Sequence, residues 1–311
     1  MESEKQSVER VNAAVVVGVV EYESGEFLSA AESDANFVCE ILAATKKYEH
    51  IFKITNSVPT SKLTSKMTEI SQELEGVAVN EFFFYFSGHG YITDGDFIFC
   101  TSDFRTDKPR TTAVPNRDID KWLRSFDPEI AVKVIDACHS GARVIKRDDA
   151  FRKSLESKGF HNFIQFASSM EQEVSFASSL ISYFTKVFLE GASVQKSNKI
   201  LYTDIENYIL DSFSSAEQTP YFISQSTRRE TFCESSHFLA DCHKKICNLS
   251  ANSKTSVSDV DQKLAELSEY YPSISEVQDE VEELSEEIGG IDINDETLTK
   301  VYACERSSFS D

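Results

Sequence analysis

The chain has 311 residues, 41% hydrophobic and 27% charged, a balance that supports a folded globular core and excludes wholesale disorder. Its 52 acidic and 31 basic residues give a formal charge of −21, which opposes binding to phosphate backbones or anionic membrane surfaces, so neither nucleic acid nor membrane is an expected partner. Seven cysteines at irregular spacing fit free thiols in a reducing compartment, and the polar N-terminus and short apolar runs fit a cytoplasmic protein without a membrane span.

In chain order, the run AAVVVGVV from Ala13 to Val20 predicts a strand covered on both faces. A helix follows over Ser29 to Tyr48, with Phe37, Ile41 and Leu42 on one face, then a strand over His50 to Thr55. Ser61 to Leu74 reads as a second helix with Leu63, Met67, Ile70 and Leu74 inward. Glu81 to Phe86 predicts a third buried strand that ends directly in Ser87-Gly88-His89-Gly90, and Asp96 to Cys100 a short hairpin strand after Asp94-Gly95. Asn116 to Ser125 predicts a helix begun after Pro115, and Ile130 to Ile135 a buried strand running into Asp136-Ala137-Cys138-His139-Ser140-Gly141.

Beyond it come a strand at Phe163 to Ala167, helices at Ser179 to Leu189 and Asp204 to Phe213, and a short strand near Tyr221 to Ile223. Such alternation implies a mostly parallel sheet with helices on both faces, whose ligands bind at the C-terminal strand edges. From Glu230 to Asp311 there are 19 acids and 6 bases, net −13, and the hydrophobic spacing (Val260, Leu264, Leu267; Val277, Val281, Leu284, Ile288) predicts two acidic helices parted by Pro272. The expected division is therefore residues 1–229 as the main domain and 230–311 as a helical appendage.

The chemistry-bearing residues stand at the ends of the two buried strands. A thiol that attacks an amide must ionise, and a neighbouring imidazole both favours the thiolate and protonates the departing amine. His89, in an expected Gly-His-Gly turn, and Cys138, in an expected turn closed by Ser140-Gly141, offer that pair. Cys233, His237, Cys242, His243 and Cys247 lack zinc-site spacing, and Phe238, Cys242, Ile246 and Leu249 instead form an apolar helical stripe. No metal or other cofactor is expected.

Phe84-Tyr85-Phe86-Ser87-Gly88-His89-Gly90 and Ile135-Asp136-Ala137-Cys138-His139-Ser140-Gly141 resemble the histidine and cysteine signatures of the caspase-like peptidases, and the Asp-x-Cys-His-Ser-Gly form resembles metacaspases and their prokaryotic relatives. The likeness extends over about Val15 to Ile223. It implies a caspase-hemoglobinase-like three-layer α/β/α sandwich with a mostly parallel central sheet. It further implies a cysteine endopeptidase of regulated proteolysis, acting on protein substrates, in which Cys138 attacks the scissile carbonyl and His89 serves as acid and base. Backbone amides of Gly90 and Cys138 would hold the oxyanion.

By the same resemblance, Asp34, Ser87 and Asp136 match the acidic pocket for a basic P1 side chain, which implies cleavage after Arg or Lys; Ala31 stands where metacaspases usually carry a cysteine. Arg117 falls where calcium-dependent metacaspases carry an aspartate pair, which implies activity without calcium. Arg143, Lys146 and Arg147 follow the nucleophile as candidate self-processing sites. A CHAT-type protease with another P1 preference, and a non-catalytic protein acting through its acidic tail on a partner or activator, are the alternative readings.

Overall fold

The computed structural model describes residues 10–93, 96–139, 159–168, 181–194, 198–213 and 220–252. The apolar run from Ala13 to Val20 forms the middle of β1 (Arg10–Glu21), and its hydrophobic side chains are buried throughout. It can be apolar on both faces because β1 pairs in parallel with β2 (His50–Ser57) on one side and β3 (Ala78–Thr93) on the other, with helices above and below. β3 in turn pairs in parallel with β6 (Ile130–His139), and β6 with β7 (Asn162–Ala167).

The strand order is β2-β1-β3-β6-β7-β9, closed by β9 (Tyr221–Gln225) antiparallel to β7. β4 (Asp96–Cys100) folds back antiparallel on the far end of β3 and pairs with β5 (Ala113–Pro115). A separate antiparallel ribbon joins β8 (Lys199–Leu201) to β10 (Thr231–Glu234).

Side-chain alternation divides the sheet into two faces. Val15, Val17, Val19, Phe82, Phe84, Phe86 and Ile135 share one cluster with Leu63, Met67 and Ile70 of α2 (Thr60–Glu73) and Ile119 and Leu123 of α3 (Asn116–Ser125). The opposite face carries α1 (Ser29–Thr45) and α4 (Tyr183–Ser193), where Phe83 meets Phe188 and Tyr85 shares a hydrogen bond with Thr185. This is the expected three-layer α/β/α arrangement, with α5 (Tyr202–Ser212) beside α4 and α6 (His237–Asn252) following β10.

Several boundaries differ from the expected ones for local reasons. α1 stops at Thr45, not Tyr48, because Lys46 turns into the left-handed region (φ 56°) and its N–H bonds Ala43 O. Its inward side is built from Ala31, Asp34, Ala35, Val38, Ile41 and Leu42, while Phe37 is only half-buried. α4 continues past Leu189 to Ser193, with Ser182 as its N-cap; 179–180 lie outside the described residues. On α6, Leu239 and Ile246 face inward and Phe238 is exposed, so the apolar stripe is rotated from the expected one. The expected helices of 253–311 lie outside the described residues. By backbone contacts the chain divides into two units, 1–175 with 180–246, and 176–179 with 247–311.

Small residues let α1 press onto β1. A Cβ on Gly18 would lie 2.4 Å from Ala31 O, a backbone atom of the helix that carries Asp34. Gly18→Ala is therefore expected to cost about 1–3 kcal/mol by displacing α1, measured as a lower midpoint in urea unfolding. An unchanged midpoint would show that α1 yields freely.

Candidate active site

His89 and Cys138 are brought together by backbone pairing. In the β3–β6 ladder His89 is the register partner of Cys138, and two residues earlier Ser87 is the partner of Asp136. Parallel strands lie about 4.8 Å apart, so each pair is adjacent. The expectation that both motifs form turns beyond their strands is corrected: β3 runs on to Thr93 and β6 to His139. The ladder is what extends them, since β4 supplies pairing partners for residues 90–93 of β3.

The motif glycines serve packing as well. A Cβ on Gly88 would come within 2.9 Å of both the Phe86 ring and Tyr22 Oη, and one on Gly90 within 2.6 Å of the Phe97 ring. Gly90 stands opposite Phe99 and His139 in the two ladders.

Around His89, the loop after β1 does most of the contacting. The His89 amide donates to Tyr22 Oη (2.8 Å), and the two rings lie 4.7 Å apart, centroid to centroid. Its Nε2 is buried, 3.3 Å from Glu26 Oε2, yet makes no hydrogen bond among the described residues. Burial lowers the imidazole pKa from its ordinary value, and the Glu26 carboxylate pulls it back up. Burial also holds the Tyr22 phenol far above the ordinary range.

Behind this pair, Asp34, Ser87 and Asp136 converge on the N-terminus of α4. Asp34, fully buried, accepts from Ser87 Oγ (2.8 Å) and from the Ser182 amide (2.8 Å). Asp136, 8% exposed, accepts from Ser182 Oγ, Thr185 Oγ1 (2.6 Å) and the Thr185 amide (3.2 Å). Ser182 thus bridges both carboxylates. Burial raises both pKa values, that of Asp34 further because Asp136 lies beside it, while the donors and the positive end of α4 oppose the rise.

At the start of α3, Asn116 and Asp120 hold the buried Lys133 ammonium (2.6 and 2.7 Å), and Arg117 pairs with Asp96 (3.2 Å). Arg143, Lys146 and Arg147 lie outside the described residues. Sequence reasoning missed Tyr22, Glu26, Ser182 and Thr185. The last two were accessible as a Ser-x-x-Thr helix start, since Ser182 is a residue type that caps helices.

A family model described as the caspase domain of peptidase family C14 matches residues 11–232. Among solved structures, the crystal structure of protein GSU0716 from Geobacter sulfurreducens is similar, with a TM-score of 0.52 and 16% identity over 73% of this chain and 100% of that one. At that identity the likeness concerns the fold. A search of the curated proteins found no match. Among the described residues no helix is long and apolar enough to cross a membrane. With the family match spanning the whole sheet and both strands that carry His89 and Cys138, the chain belongs to the caspase domain family of cysteine peptidases.

Proposed function

We propose that the protein is a cysteine endopeptidase that cleaves after Arg or Lys, with Cys138 as nucleophile and His89 as general acid and base. The observation that carries this reading is the register that makes residues 89 and 138 direct neighbours across β3 and β6. In the proposed reaction the thiol proton passes to the imidazole and the thiolate adds to the scissile carbonyl, with the Gly90 and Cys138 amides as oxyanion donors. The imidazolium then protonates the departing amine, and a water deprotonated by His89 releases the acyl group.

Asp34, Ser87 and Asp136 form the proposed P1 site. Both carboxylates already accept hydrogen bonds from protein donors, so a P1 cation would bind mainly through charge. Burial holds the two acids toward the neutral form; an entering guanidinium would favour their ionisation, whereas an acidic P1 would be repelled. The C-terminal stretch 230–311, whose residues 231–234 pair with β8 and whose residues to 246 belong to the main unit, is proposed as the region through which an activator acts, and Arg143, Lys146 and Arg147 as self-cleavage sites. The intact mass of an active preparation checks the cleavage sites.

The test is a panel of fluorogenic peptides ending in Arg, Lys, Asp or Leu, assayed with and without EGTA, with Cys138→Ala as control. Arg and Lys peptides are expected to exceed the others at least ~100-fold in kcat/KM, with EGTA making no difference. A preference for Asp or Leu would refute the P1 assignment. Undiminished cleavage by Cys138→Ala would refute the nucleophile, and loss of cleavage in EGTA with rescue by calcium would refute metal independence.

A further inference from the structure

A histidine that shuttles protons needs its second nitrogen fixed, because the partner of that nitrogen sets the ring's tautomer and orientation. At His89 the second nitrogen has a candidate partner that neither sequence motif contains. Nε2 is a buried polar atom without a hydrogen bond among the described residues, and the Glu26 carboxylate stands 3.3 Å away. An unsatisfied buried donor costs about 1–3 kcal/mol, so a small rotation of Glu26 that completes the bond is favoured.

Glu26 is held there by the backbone of a tight loop. Gly25, at φ +92°, lets the chain reverse, and the Gly25 amide bonds Tyr22 O (2.9 Å). The Tyr22 amide bonds Glu26 O (3.1 Å), the Glu23 amide bonds Ser102 O (2.8 Å), and Leu28 ties back to Val20 O (2.8 Å). Phe27 closes the loop in a bridge to Glu21. The same loop supplies Tyr22, whose hydroxyl accepts the His89 amide and whose ring lies beside the imidazole. One segment therefore holds the His89 backbone, lies against its ring and sets a carboxylate beside its far nitrogen.

Among the described residues, the titratable groups of the neighbouring strands and loop are committed elsewhere or have another part to play. Tyr22 is kept neutral by burial, and the Asp136 carboxylate is taken up by Ser182 and Thr185. Asp34 is bound by Ser87 and Ser182. Cys138 is the register neighbour on β6 and the proposed proton donor. Among the described residues Glu26 is the carboxylate paired with the imidazole.

We propose that Glu26 is a positioning residue that accepts a hydrogen bond from His89 Nε2–H and stabilises the imidazolium, leaving Nδ1 to exchange the proton with the Cys138 thiol. This deepens the peptidase reading and rests on it for its role in catalysis, but the Glu26–His89 coupling is measurable without any turnover. No atom is lost or gained: the proton that leaves sulfur resides on Nδ1, and the positive charge so formed faces the Glu26 carboxylate at Nε2.

The primary test is an NMR titration of the histidine rings in the Cys138→Ala protein, with the His89 signal identified by its loss in His89→Gln. Glu26→Gln, which keeps the side chain's shape and removes its charge, is expected to lower the His89 midpoint by at least ~0.5 pH unit. In the active enzyme the same change is expected to lower kcat ~10- to 100-fold with KM within about twofold, and to move the alkaline limb of kcat/KM to lower pH. Glu26→Asp, which restores the charge, should recover part of both effects.

An unmoved His89 midpoint in Glu26→Gln overturns the proposal, as does a fall in kcat with the alkaline limb in place, which marks a merely structural effect. If the wild type shows no Cys138-dependent cleavage while the His89 midpoint still shifts, the peptidase reading fails and the Glu26–His89 coupling stands.

Discussion

Replacing His89 with alanine is expected to lower kcat/KM for peptide cleavage by ~10³-fold or more while leaving the thermal midpoint within a few degrees. The large loss follows because the proposed mechanism asks one imidazole to do three things: hold the thiolate, protonate the amine and activate water. The small stability effect follows from its surroundings. The side chain is 18% exposed, and its carboxylate partner Glu26 is 64% exposed and well solvated without it. Alkylation of Cys138 by iodoacetamide near neutral pH should slow in parallel, since the thiolate fraction falls with the imidazolium gone. A His89→Ala protein that cleaves and alkylates at wild-type rates would exclude His89 from the chemistry.

Asp136→Asn should separate function from stability in opposite directions. Losing one carboxylate of a buried charge-assisted contact costs about 2–5 kcal/mol, so cleavage after Arg should fall ~30- to 5,000-fold. Stability should respond through pH. A carboxyl that burial holds above its ordinary 3.8 keeps its proton longer in the folded chain than in the unfolded one. The folded state therefore loses stability as pH rises from about 4 through the raised range of the two acids, of which Asp34 is pushed up to about 8 by its burial and by Asp136. Asparagine has no proton to lose, and its removal of one charge relieves Asp34 as well. Thermal midpoints between pH 4 and 8 should fall less steeply in Asp136→Asn than in the wild type. Parallel slopes would show that these acids are not energetically strained.

Much of the fold was legible because the apolar pattern is strong where the sheet is deepest. The runs AAVVVGVV and EFFFYF have few polar interruptions, and both became central strands. Asn116 to Ser125 was found to the residue because Pro115 marks its start. The short strands β5, β8 and β10 were not found, since three or four residues carry no periodicity and are strands only through their partners. The motifs read as turns because glycine and serine signal turns locally, whereas here the neighbouring ladders and the Phe86 and Phe97 rings decide.

The same contrast holds for the site. Asp34, Ser87 and Asp136 lie together through the register of β3 with β6 and through hydrogen bonds that join Ser87 to Asp34 and both carboxylates to Ser182. Ser182 and Thr185, 46 and 49 residues from Asp136, are joined to it only by the folding of α4 onto the sheet, which no local pattern announces. Glu26 lies in an exposed acidic stretch that reads as solvated surface, and its meaning depends on Gly25 turning the chain back.

Ten consecutive residue pairs join β3 to β6, from Glu81 with Ile130 to Gly90 with His139. Positions 89 and 138 therefore sit on what is mechanically one plank, and separating them would require unzipping the middle of the sheet. A switch that silences the proposed dyad would have to work at its margins, by obstructing entry, retuning the imidazole or filling the proposed acidic pocket, while the gauge between the two strands stays constant.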